Sequence, residues 1–384
     1  YSQVDTTCFK GKALSTRNAD DLSLIARMHK AIAIILFKLE GQVVKRNPSF
    51  QMEGRLLLDK IDYEQKTVTV EGKVYPIRDC DFPTVDPADP YALSPAEARL
   101  MEQLRFAFQQ SEKLQRHAKF LYSKGGMYLI CNQNLLFHGC IPMEEDGSFT
   151  SFPFDEGPLS GRAFLDRTEE LARQGYYARS GSGERKRGKD FLWYLWCGKN
   201  SPLYGRSKMA SFERLLIEDS TTWQEKKDPY YRHSLTEASC RAILENFGLS
   251  QEHAHIINGH VPVKSKDGES PIRAGGRLIV IDGGFCRAYQ SQTGIAGYTL
   301  IYSSYGMRIT SHEPFSGAED AIQHNKDILS TTAIFETADA RIKVADTDEG
   351  LQMQQSIEDL TQLLAAYRDG RLKENHESLP HRIG

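Results

Sequence analysis

Two histidines occupy similar places in the sequence, and together they could bind a metal ion. His138 lies in NLLFHGCIP, and His260 lies in HIINGHVPVK. Each follows an apolar run that predicts a buried strand, and each is adjacent to a glycine. Open α/β sheets bind ligands at the carboxyl ends of their strands, and neutral imidazole is a common ligand of transition metals. A single histidine in such a place is more often a hydrogen-bonded core residue, but the pair indicates a metal site.

A glycine-rich segment has part of the spacing of a nucleotide-binding loop. The segment is GERKRGKD, residues 183–190, and it contains the G-x-x-x-x-G-K part of a P-loop. Asp190 replaces the Ser or Thr that would hold magnesium, and an acidic side chain there would repel phosphate. No strand is predicted before it. We therefore expect a solvated, mobile loop here and no nucleotide site.

The overall composition is typical of a globular protein without a general attraction for polyanions. Its 384 residues are 40% hydrophobic, which is enough for one large domain or two ordinary ones. The 48 basic and 51 acidic residues give a formal charge of −3, which argues against nucleic acid or an anionic membrane as a partner. The longest apolar stretch, AIAIILF, is much shorter than the roughly 20 residues that cross a bilayer. We expect a soluble chain whose function depends on a local site.

The cysteines indicate a reducing compartment. All seven are scattered, and none is spaced C-x-x-C, which argues against a disulfide framework and against a cysteine zinc site. The first residues, YSQVDTTCFKGK, lack the apolar core of a signal peptide and do not begin with methionine. We expect a cytoplasmic protein whose chain was processed, trimmed or read from an incomplete gene.

Residues 1–125 are expected to form a mainly helical scaffold with one hairpin. Helical spacing of apolar residues predicts a long helix over NADDLSLIARMHKAIAIILFKLEGQVVKR, with Gly41 near its end. KTVTVEGKVYPI alternates with period two on both sides of EG, which is typical of a hairpin. Ser94 and Glu97 have the spacing of a capping box and predict the start of a second helix that runs to about residue 124.

From residue 126 to 312 the sequence predicts a sheet core. Glycine-rich turns separate the apolar segments MYLICNQNLLFHGC, HIINGH, RLIVIDGG, GYTLIYSS and GMRITSH. Between the first two lies a helical, aromatic stretch, about 160–245, that is expected to be an insertion. Residues 313–384 are expected to form a polar, helical tail that ends in an amphipathic helix capped by Gly370.

Several longer segments resemble one enzyme family. NLLFHGCIPM and INGHVPVKSKDGESPIRAGGRLIVIDGGFCRAYQSQTGIAGYTLIYSSYGM resemble the bacterial class 3 fructose-1,6-bisphosphatases, within the calcineurin-like metallophosphoesterases. Further support comes from MHKAIAIILFKLEGQ, RLLLDKIDYEQKTV, DFPTVDPADPY and FLWYLWCGKNSPLYGRSKMASFER. The resemblance extends over nearly all 384 residues. It implies an α/β fold: a metallophosphoesterase-type αββα sandwich with helical insertions, incomplete because its N-terminal strands are missing.

The resemblance also implies a dinuclear metal site, usually occupied by Mn²⁺. His138 and His260 match the two histidine motifs of related phosphoprotein phosphatases, so they are the predicted metal ligands. Many members of the superfamily read Gly-His-x-His at the second motif, but here Pro262 replaces the second histidine. Asn258 and Asp282 are candidates to accept a hydrogen bond from the imidazole nitrogen that does not bind metal. For each of these two residues, capping of a turn is an equally good interpretation.

Two imidazoles are too few ligands for a two-metal site. Such a site holds its ions about 3.5–4 Å apart, and this requires several ligands. The other motifs of the superfamily, Asp-x-His, Gly-Asp-x-x-Asp and Gly-Asn-His-Asp, do not occur in this sequence. We therefore expect a carboxyl-terminal fragment whose remaining ligands and catalytic residues lie upstream, and which is inactive by itself.

The resemblance implies the substrate as well. The expected reaction is hydrolysis of the 1-phosphate of fructose 1,6-bisphosphate to fructose 6-phosphate, a step of gluconeogenesis. Lysine and arginine form charge-assisted hydrogen bonds with phosphate, so the candidates for binding it are Lys199, Arg206, Lys208 and Lys264. The expected partner is a sugar bisphosphate, with neither nucleic acid nor membrane. Formation of a homo-oligomer stays open.

Two other functions are compatible with the same residues. A phosphoprotein phosphatase of the superfamily would share both histidine motifs. A non-catalytic binding module would keep the fold and bind no metal. Phosphate release from a sugar bisphosphate and from a phosphopeptide distinguishes the first alternative, and metal analysis of the purified protein distinguishes the second.

Overall fold

Helices and small sheets alternate along the chain, and the fold is mixed α/β as the sequence predicts. The structure is a computed structural model that describes residues 1, 4–9, 19–249, 252–282, 284, 286–314, 317–325 and 330–373. None of the helices in these ranges is both long enough and apolar enough to cross a membrane. The helices are α1 (Ala19–Arg46), α2 (Pro95–Gln110), α3 (Glu112–Lys124), α4 (Gly161–Tyr177), α5 (Gly183–Cys197), α6 (Ser211–Leu216), α7 (Tyr230–His233), α8 (Glu237–Asn246), α9 (Arg287–Thr293), α10 (Ala318–Gln323) and α11 (Asp348–Arg368).

The strands form four sheets. The orders within these sheets are β1-β2-β3, β4-β5-β8-β10-β9, β6-β7 and β11-β12-β13. The strands are β1 (Ile61–Asp62), β2 (Thr67–Val70), β3 (Lys73–Pro76), β4 (Tyr128–Cys131), β5 (Asn134–Phe137), β6 (Phe152–Phe154), β7 (Gly157–Leu159), β8 (His255–Asn258), β9 (Ile272–Arg273), β10 (Leu278–Val280), β11 (Gly297–Ser303), β12 (Gly306–His312) and β13 (Ser330–Thr337).

The chain divides into two compact units. The first unit comprises Tyr1–Leu129 and Phe137–Ser250, and the second comprises Ile130–Leu136 and Gln251–Gly384. Most helices belong to the first unit. The second unit contains nearly all of the five-stranded sheet and the whole of the sheet β11-β12-β13.

Helix α1 supplies one wall of the core of the first unit. Ala26, Ala33, Ile34 and Phe37 are buried at helical spacing, which is the apolar stripe that the sequence predicts. The helix runs to Arg46, as the predicted segment does, and Gly41 lies near its end but inside it.

Gly41 is inside the helix because the Tyr91 ring lies against it. A Cβ at position 41 would be 2.0 Å from Cδ1 of Tyr91. Glycine therefore permits a close contact here and does not end the helix.

Two lysines are completely buried on the same helix. Nζ of Lys30 lies 2.7 Å from Oδ2 of Asp79, and Nζ of Lys38 lies 2.8 Å from Oε2 of Glu97. Because an unpaired buried ammonium would be costly, each lysine depends on its carboxylate. These pairs belong to the helical scaffold and were not predicted.

Local signals in residues 67–124 are mostly confirmed. β2 and β3 form the predicted hairpin, and both residues of its Glu71-Gly72 turn have positive φ. The capping box at the start of α2 is present, with hydrogen bonds in both directions between Ser94 and Glu97. The single helix predicted to follow is instead two helices, because Ser111 adopts an extended backbone and begins α3.

The segment GERKRGKD is not a loop, contrary to the prediction. It forms the first half of α5, and the Ser182 hydroxyl accepts a hydrogen bond from the Arg185 amide at its start. Asp190 is buried and forms two hydrogen bonds with the Arg46 guanidinium. A Cβ on Gly188 would be 2.2 Å from the Gly175 nitrogen of α4. Close packing of two helices explains the glycine.

The second unit is built around parallel strands. β5 pairs with β8 in parallel, with Leu135 opposite Ile256, and β8 pairs with β10 in parallel, with Val280 opposite Asn258. The predicted segments at 128–137, 255–258, 278–280, 297–303 and 306–312 are all strands. The tail is not purely helical as predicted, because β13 at 330–337 pairs with β12 and completes an antiparallel sheet.

A histidine at the start of β8 connects this strand to β13. Nδ1 of His255 lies 2.8 Å from the Gly276 carbonyl oxygen, and Nε2 lies 2.7 Å from Oε2 of Glu336. The other carboxylate oxygen of Glu336 lies 2.8 Å from Nδ1 of His253. One carboxylate therefore joins two imidazoles and fixes the end of β8 that is opposite to His260.

Candidate functional site

The two predicted metal ligands both follow strands of the five-stranded sheet. His138 comes directly after β5, and His260 comes two residues after β8. Because β5 and β8 are parallel neighbours, their carboxyl ends belong to the same edge of this sheet. This pairing could not be derived from the sequence, since about 120 residues separate the strands. His138 itself belongs to the first unit and His260 to the second.

His260 has an unusual backbone conformation. Its φ is +66°, in the left-handed region that residues other than glycine rarely adopt, and its side chain is half-buried. The Val261 amide donates to the Gly259 carbonyl oxygen at 2.8 Å, so the chain turns sharply after β8. Strained backbone of this kind is concentrated at functional sites.

Asp282 and Asn258 lie beside this turn in the second unit. The Ile281 amide donates to the Asn258 carbonyl oxygen at 3.0 Å, and the Val263 amide donates to the Asp282 carbonyl oxygen at 2.8 Å. Oδ1 of Asp282 accepts a hydrogen bond from the Gly284 amide at 2.9 Å, which is the turn-capping role that was the alternative interpretation. Asn258 is buried. The structure thus brings together three predicted residues, His260, Asn258 and Asp282, around the ends of β8 and β10.

The other predicted ligand, His138, is exposed and belongs to the first unit. A Cβ on the following residue, Gly139, would lie 2.1 Å from the Pro202 carbonyl oxygen. The same oxygen accepts a hydrogen bond from the Cys140 amide at 2.9 Å. Burial raises the pKa of the Cys140 thiol, so this cysteine remains protonated and fills buried space. Gly139 is therefore needed for a close contact between backbones just after His138.

The four predicted phosphate-binding cations are not equivalent. Lys199, Arg206 and Lys208 belong to the first unit, and Lys264 belongs to the second. Nζ of Lys208 lies 2.8 Å from Oε1 of Glu71 and 3.5 Å from Oε1 of Glu213. Lys264 is 56% exposed, and its Nζ is 4.0 Å from Oδ2 of Asp267. Lys264 is therefore more accessible to a ligand than Lys208.

Two of these lysines line a small cavity in the first unit. The cavity has a volume of about 150 Å³, and Lys199, Lys208, Arg55, Glu71 and Glu213 contribute to its wall. Nη1 of Arg55 lies 2.6 Å from Oε1 of the fully buried Glu213. Arg55 is paired with Glu213 and Lys208 with Glu71, so an anion that binds Lys208 in this cavity would have to separate it from Glu71.

One titratable residue of the first unit was missed by the sequence reasoning. Asp228 is buried, and desolvation raises its pKa to about 6. Its Oδ1 accepts hydrogen bonds from the Met143 amide at 3.1 Å and from the Tyr230 amide at 2.9 Å. Its own amide donates to the Gly205 carbonyl oxygen at 3.0 Å. Asp228 thus connects the segment after His138 with the segment that carries Arg206. An Asp-Pro dipeptide indicates only a turn, and burial is not visible in sequence.

We expect Asp228→Asn to raise stability at neutral pH. The folded-state pKa lies above the ordinary value of 3.8, so the folded chain binds more protons between about pH 4 and pH 6, and its stability falls as the pH rises through that window. Oδ1 of an asparagine can accept both amide hydrogen bonds. The gain above pH 6 should reach up to ~3 kcal/mol, with no gain at pH 4. Melting temperatures of both proteins from pH 4 to pH 8 measure it.

The control for this prediction is an aspartate with the opposite shift. Hydrogen bonds from Thr221 lower the pKa of the exposed Asp219. Asp219→Asn should therefore leave stability unchanged or lower it at neutral pH. Equal melting curves for the Asp228 variant and the unaltered chain at every pH would contradict the assigned burial cost.

The described residues do not by themselves fit a dinuclear metal site. Within these ranges there is no group of three or more histidine, cysteine, aspartate or glutamate side chains that could hold a metal ion. Two imidazoles at strand ends therefore remain a partial set of ligands.

Comparisons with known proteins agree on a single family. A protein-family model described as Firmicute fructose-1,6-bisphosphatase matches residues 1–369. A "Fructose-1,6-bisphosphatase class 3" of Alkaliphilus metalliredigens is 52% identical over 378 residues, which are 97% of this chain. A protein of the same name from Clostridium botulinum strain Langeland is 50% identical over 379 residues, or 98% of this chain. No solved structure matches.

The extent of these matches differs between the chain and its relatives. This chain spans 57% of the length of both curated relatives. The match nevertheless includes His138, His260 and every other residue that the sequence analysis assigned to a site, since the family model extends from residue 1 to residue 369. The chain belongs to the Firmicute fructose-1,6-bisphosphatase family.

Proposed function

We propose that this chain forms part of an enzyme that hydrolyses the 1-phosphate of fructose 1,6-bisphosphate. The products are fructose 6-phosphate and phosphate, so the enzyme is a phosphoric monoester hydrolase of gluconeogenesis. The observation that carries the proposal is 50–52% identity over almost the whole chain to proteins named class 3 fructose-1,6-bisphosphatase. Because the chain spans 57% of those relatives, the activity is proposed for the complete enzyme.

His138 and His260 are the proposed metal ligands of that enzyme. Their support is the parallel pairing of β5 with β8, together with the strained backbone at His260. Asn258 and Asp282 are proposed to orient the His260 imidazole, and the turn that joins the ends of β8 and β10 supports this role. A centre of two Mn²⁺ ions would take its further ligands from outside the described residues. Such ions would polarise the phosphoryl group and activate water.

The finer description of the fold is also a proposal. Residues 126–312 would form one half of a metallophosphoesterase sandwich, with an insertion at about 160–245. Residues 1–125 would be a helical scaffold, and residues 313–384 a tail. The parallel strands β5, β8 and β10, with proposed ligands after two of them, support this description. A reducing, cytoplasmic location belongs to the same proposal, and the seven free cysteines, all within the described ranges, support it.

The substrate can be tested on an active form of the protein. We would fuse this chain to the part of the Clostridium botulinum relative that the match does not cover. In Mn²⁺, the fusion should release phosphate from fructose 1,6-bisphosphate far faster than from a phosphopeptide. The opposite preference would favour a phosphoprotein phosphatase. A folded fusion that binds no metal and hydrolyses neither compound would favour a binding module.

Lys264 is a proposed substrate cation whose side chain is largely exposed. In the active fusion, Lys264→Ala should raise KM for fructose 1,6-bisphosphate by about tenfold with a smaller change in kcat, because a charge-assisted contact is lost in both the ground and transition states. Lys343→Ala is the control, because Lys343 is an exposed lysine of the same unit. Unchanged KM in the Lys264 variant would remove this residue from the substrate site. The remaining candidates, Lys199, Arg206 and Lys208, would then carry the phosphate contacts.

A further inference from the structure

Helix α11 carries a continuous apolar seam that faces solvent. The seam consists of Met353, Ile357, Leu360, Leu364 and Tyr367, whose side chains are between 43% and 64% exposed. Their separations are four, three, four and three residues, which is the spacing of core positions in a heptad repeat. This spacing places all five on one side of the helix.

Very little of the described chain covers this helix. Gly350, in its first turn, is the only residue of α11 that is buried. The start of the helix is fixed to the β4–β5 turn, because the Asn132 amide donates to Oδ2 of Asp348 at 2.6 Å and the Asp348 amide donates to Oδ1 of Asn132 at 2.9 Å. Beyond that turn, every residue from 351 to 364 is exposed. Helices in proteins obtain most of their stability from packing of an amphipathic face, so a partner for this seam is expected.

We propose that α11 is a dimerisation helix and that its seam packs against the same seam of a second copy of this chain. Heptad spacing favours another helix as the partner, since knobs of one helix fit holes of the other. A two-fold axis makes identical seams self-complementary. Ile357 at one core position and Leu360 at the next are typical of two-stranded packing.

Charge and area both support a second copy as the occupant. Only one of the five residues that flank the seam is charged, so two copies meet without like-charge repulsion; these residues are Gln354, Ser356, Thr361, Leu363 and Arg368. The acidic Glu358 and Asp359 lie on the outer side. Burying the exposed parts of five side chains on each helix removes roughly 1,000 Å² from water, which is about the minimum for a biological interface. The dimer should therefore form at micromolar concentrations.

The test is the oligomeric state of the 384-residue chain, measured by sedimentation equilibrium from about 1 to 100 µM. We expect the unaltered chain to reach twice the mass of one chain in this range. Ile357→Glu combined with Leu364→Glu should weaken association at least 100-fold, because each dimer would bury four carboxylates. The matched control is Gln355→Glu combined with Gln362→Glu, which adds the same charge on the outer side of the same helix and should dimerise like the unaltered chain.

A second variant locates the contact. Leu360 is the centre of the seam and meets its counterpart whether the helices are parallel or antiparallel. In Leu360→Cys, mild oxidation should give a disulfide between the introduced thiols of two chains, identified by peptide mass spectrometry. Gln362→Cys should give none at its own position. A chain that is monomeric up to 100 µM, or a dimer that the seam variant leaves unweakened, would overturn the proposal.

Discussion

The 384-residue chain alone should release phosphate from fructose 1,6-bisphosphate at least about 10³-fold more slowly than the Clostridium botulinum relative in the same Mn²⁺ concentration. The reason is the incomplete set of ligands. A two-metal centre needs several donors to hold both ions and the activated water, and the described residues contain no group of three suitable side chains. The chain alone should also retain little Mn²⁺ after gel filtration, measured by inductively coupled plasma mass spectrometry.

The fusion to the uncovered part of the relative supplies the comparison. It should regain metal and turnover together, because both depend on the same ligands. A fusion that gains metal but no turnover would show that the ligands are complete and that a further catalytic group is missing. Strong Mn²⁺-dependent hydrolysis by residues 1–384 alone would mean that this chain already holds the other ligands, and the expectation of an inactive fragment would be wrong.

Replacement of either proposed ligand should abolish activity in the fusion. We expect His260→Ala and His138→Ala each to lower kcat/KM by about 10³-fold or more and to lower the bound Mn²⁺, because a lost imidazole cannot be replaced by water without loosening the pair of ions. Metal content and steady-state rates measure both effects. His117→Ala changes an exposed histidine of α3 and should alter neither quantity.

A structural role of His260 can be separated from metal binding. Alanine at this position would still have to adopt the positive φ of His260, so a loss of activity in His260→Ala could arise from strain. Glycine adopts that conformation without steric strain. His260→Gly should therefore keep the melting temperature of the unaltered protein and lose metal as His260→Ala does. A His260→Gly protein that retains full metal and activity would show that the histidine is not a ligand.

Local features of this protein were determined by the sequence itself. The β2–β3 hairpin, the Ser94–Glu97 capping box and the apolar stripe of α1 were predicted correctly, because each depends on contacts between residues close in the chain. The positions of strands β5 and β8, with a histidine after each, were predicted for the same reason. Family membership also followed from sequence, since it depends on extended similarity and not on geometry.

Contacts between distant residues were decided only by the tertiary structure. Gly41 lies inside α1, where the Tyr91 ring packs against it, and Gly188 of GERKRGKD lies inside α5, where it allows a close approach to α4. The raised pKa of Asp228 arises from burial, which the neighbouring residues in the sequence do not indicate. Strand β13 was missed because its residues are largely exposed, and its pairing with β12 provides the hydrogen bonds that stabilise it. The parallel pairing of β5 and β8 likewise joins segments far apart in sequence. Sequence periodicity indicates which face of a segment is buried, but it does not indicate which other segment pairs with it.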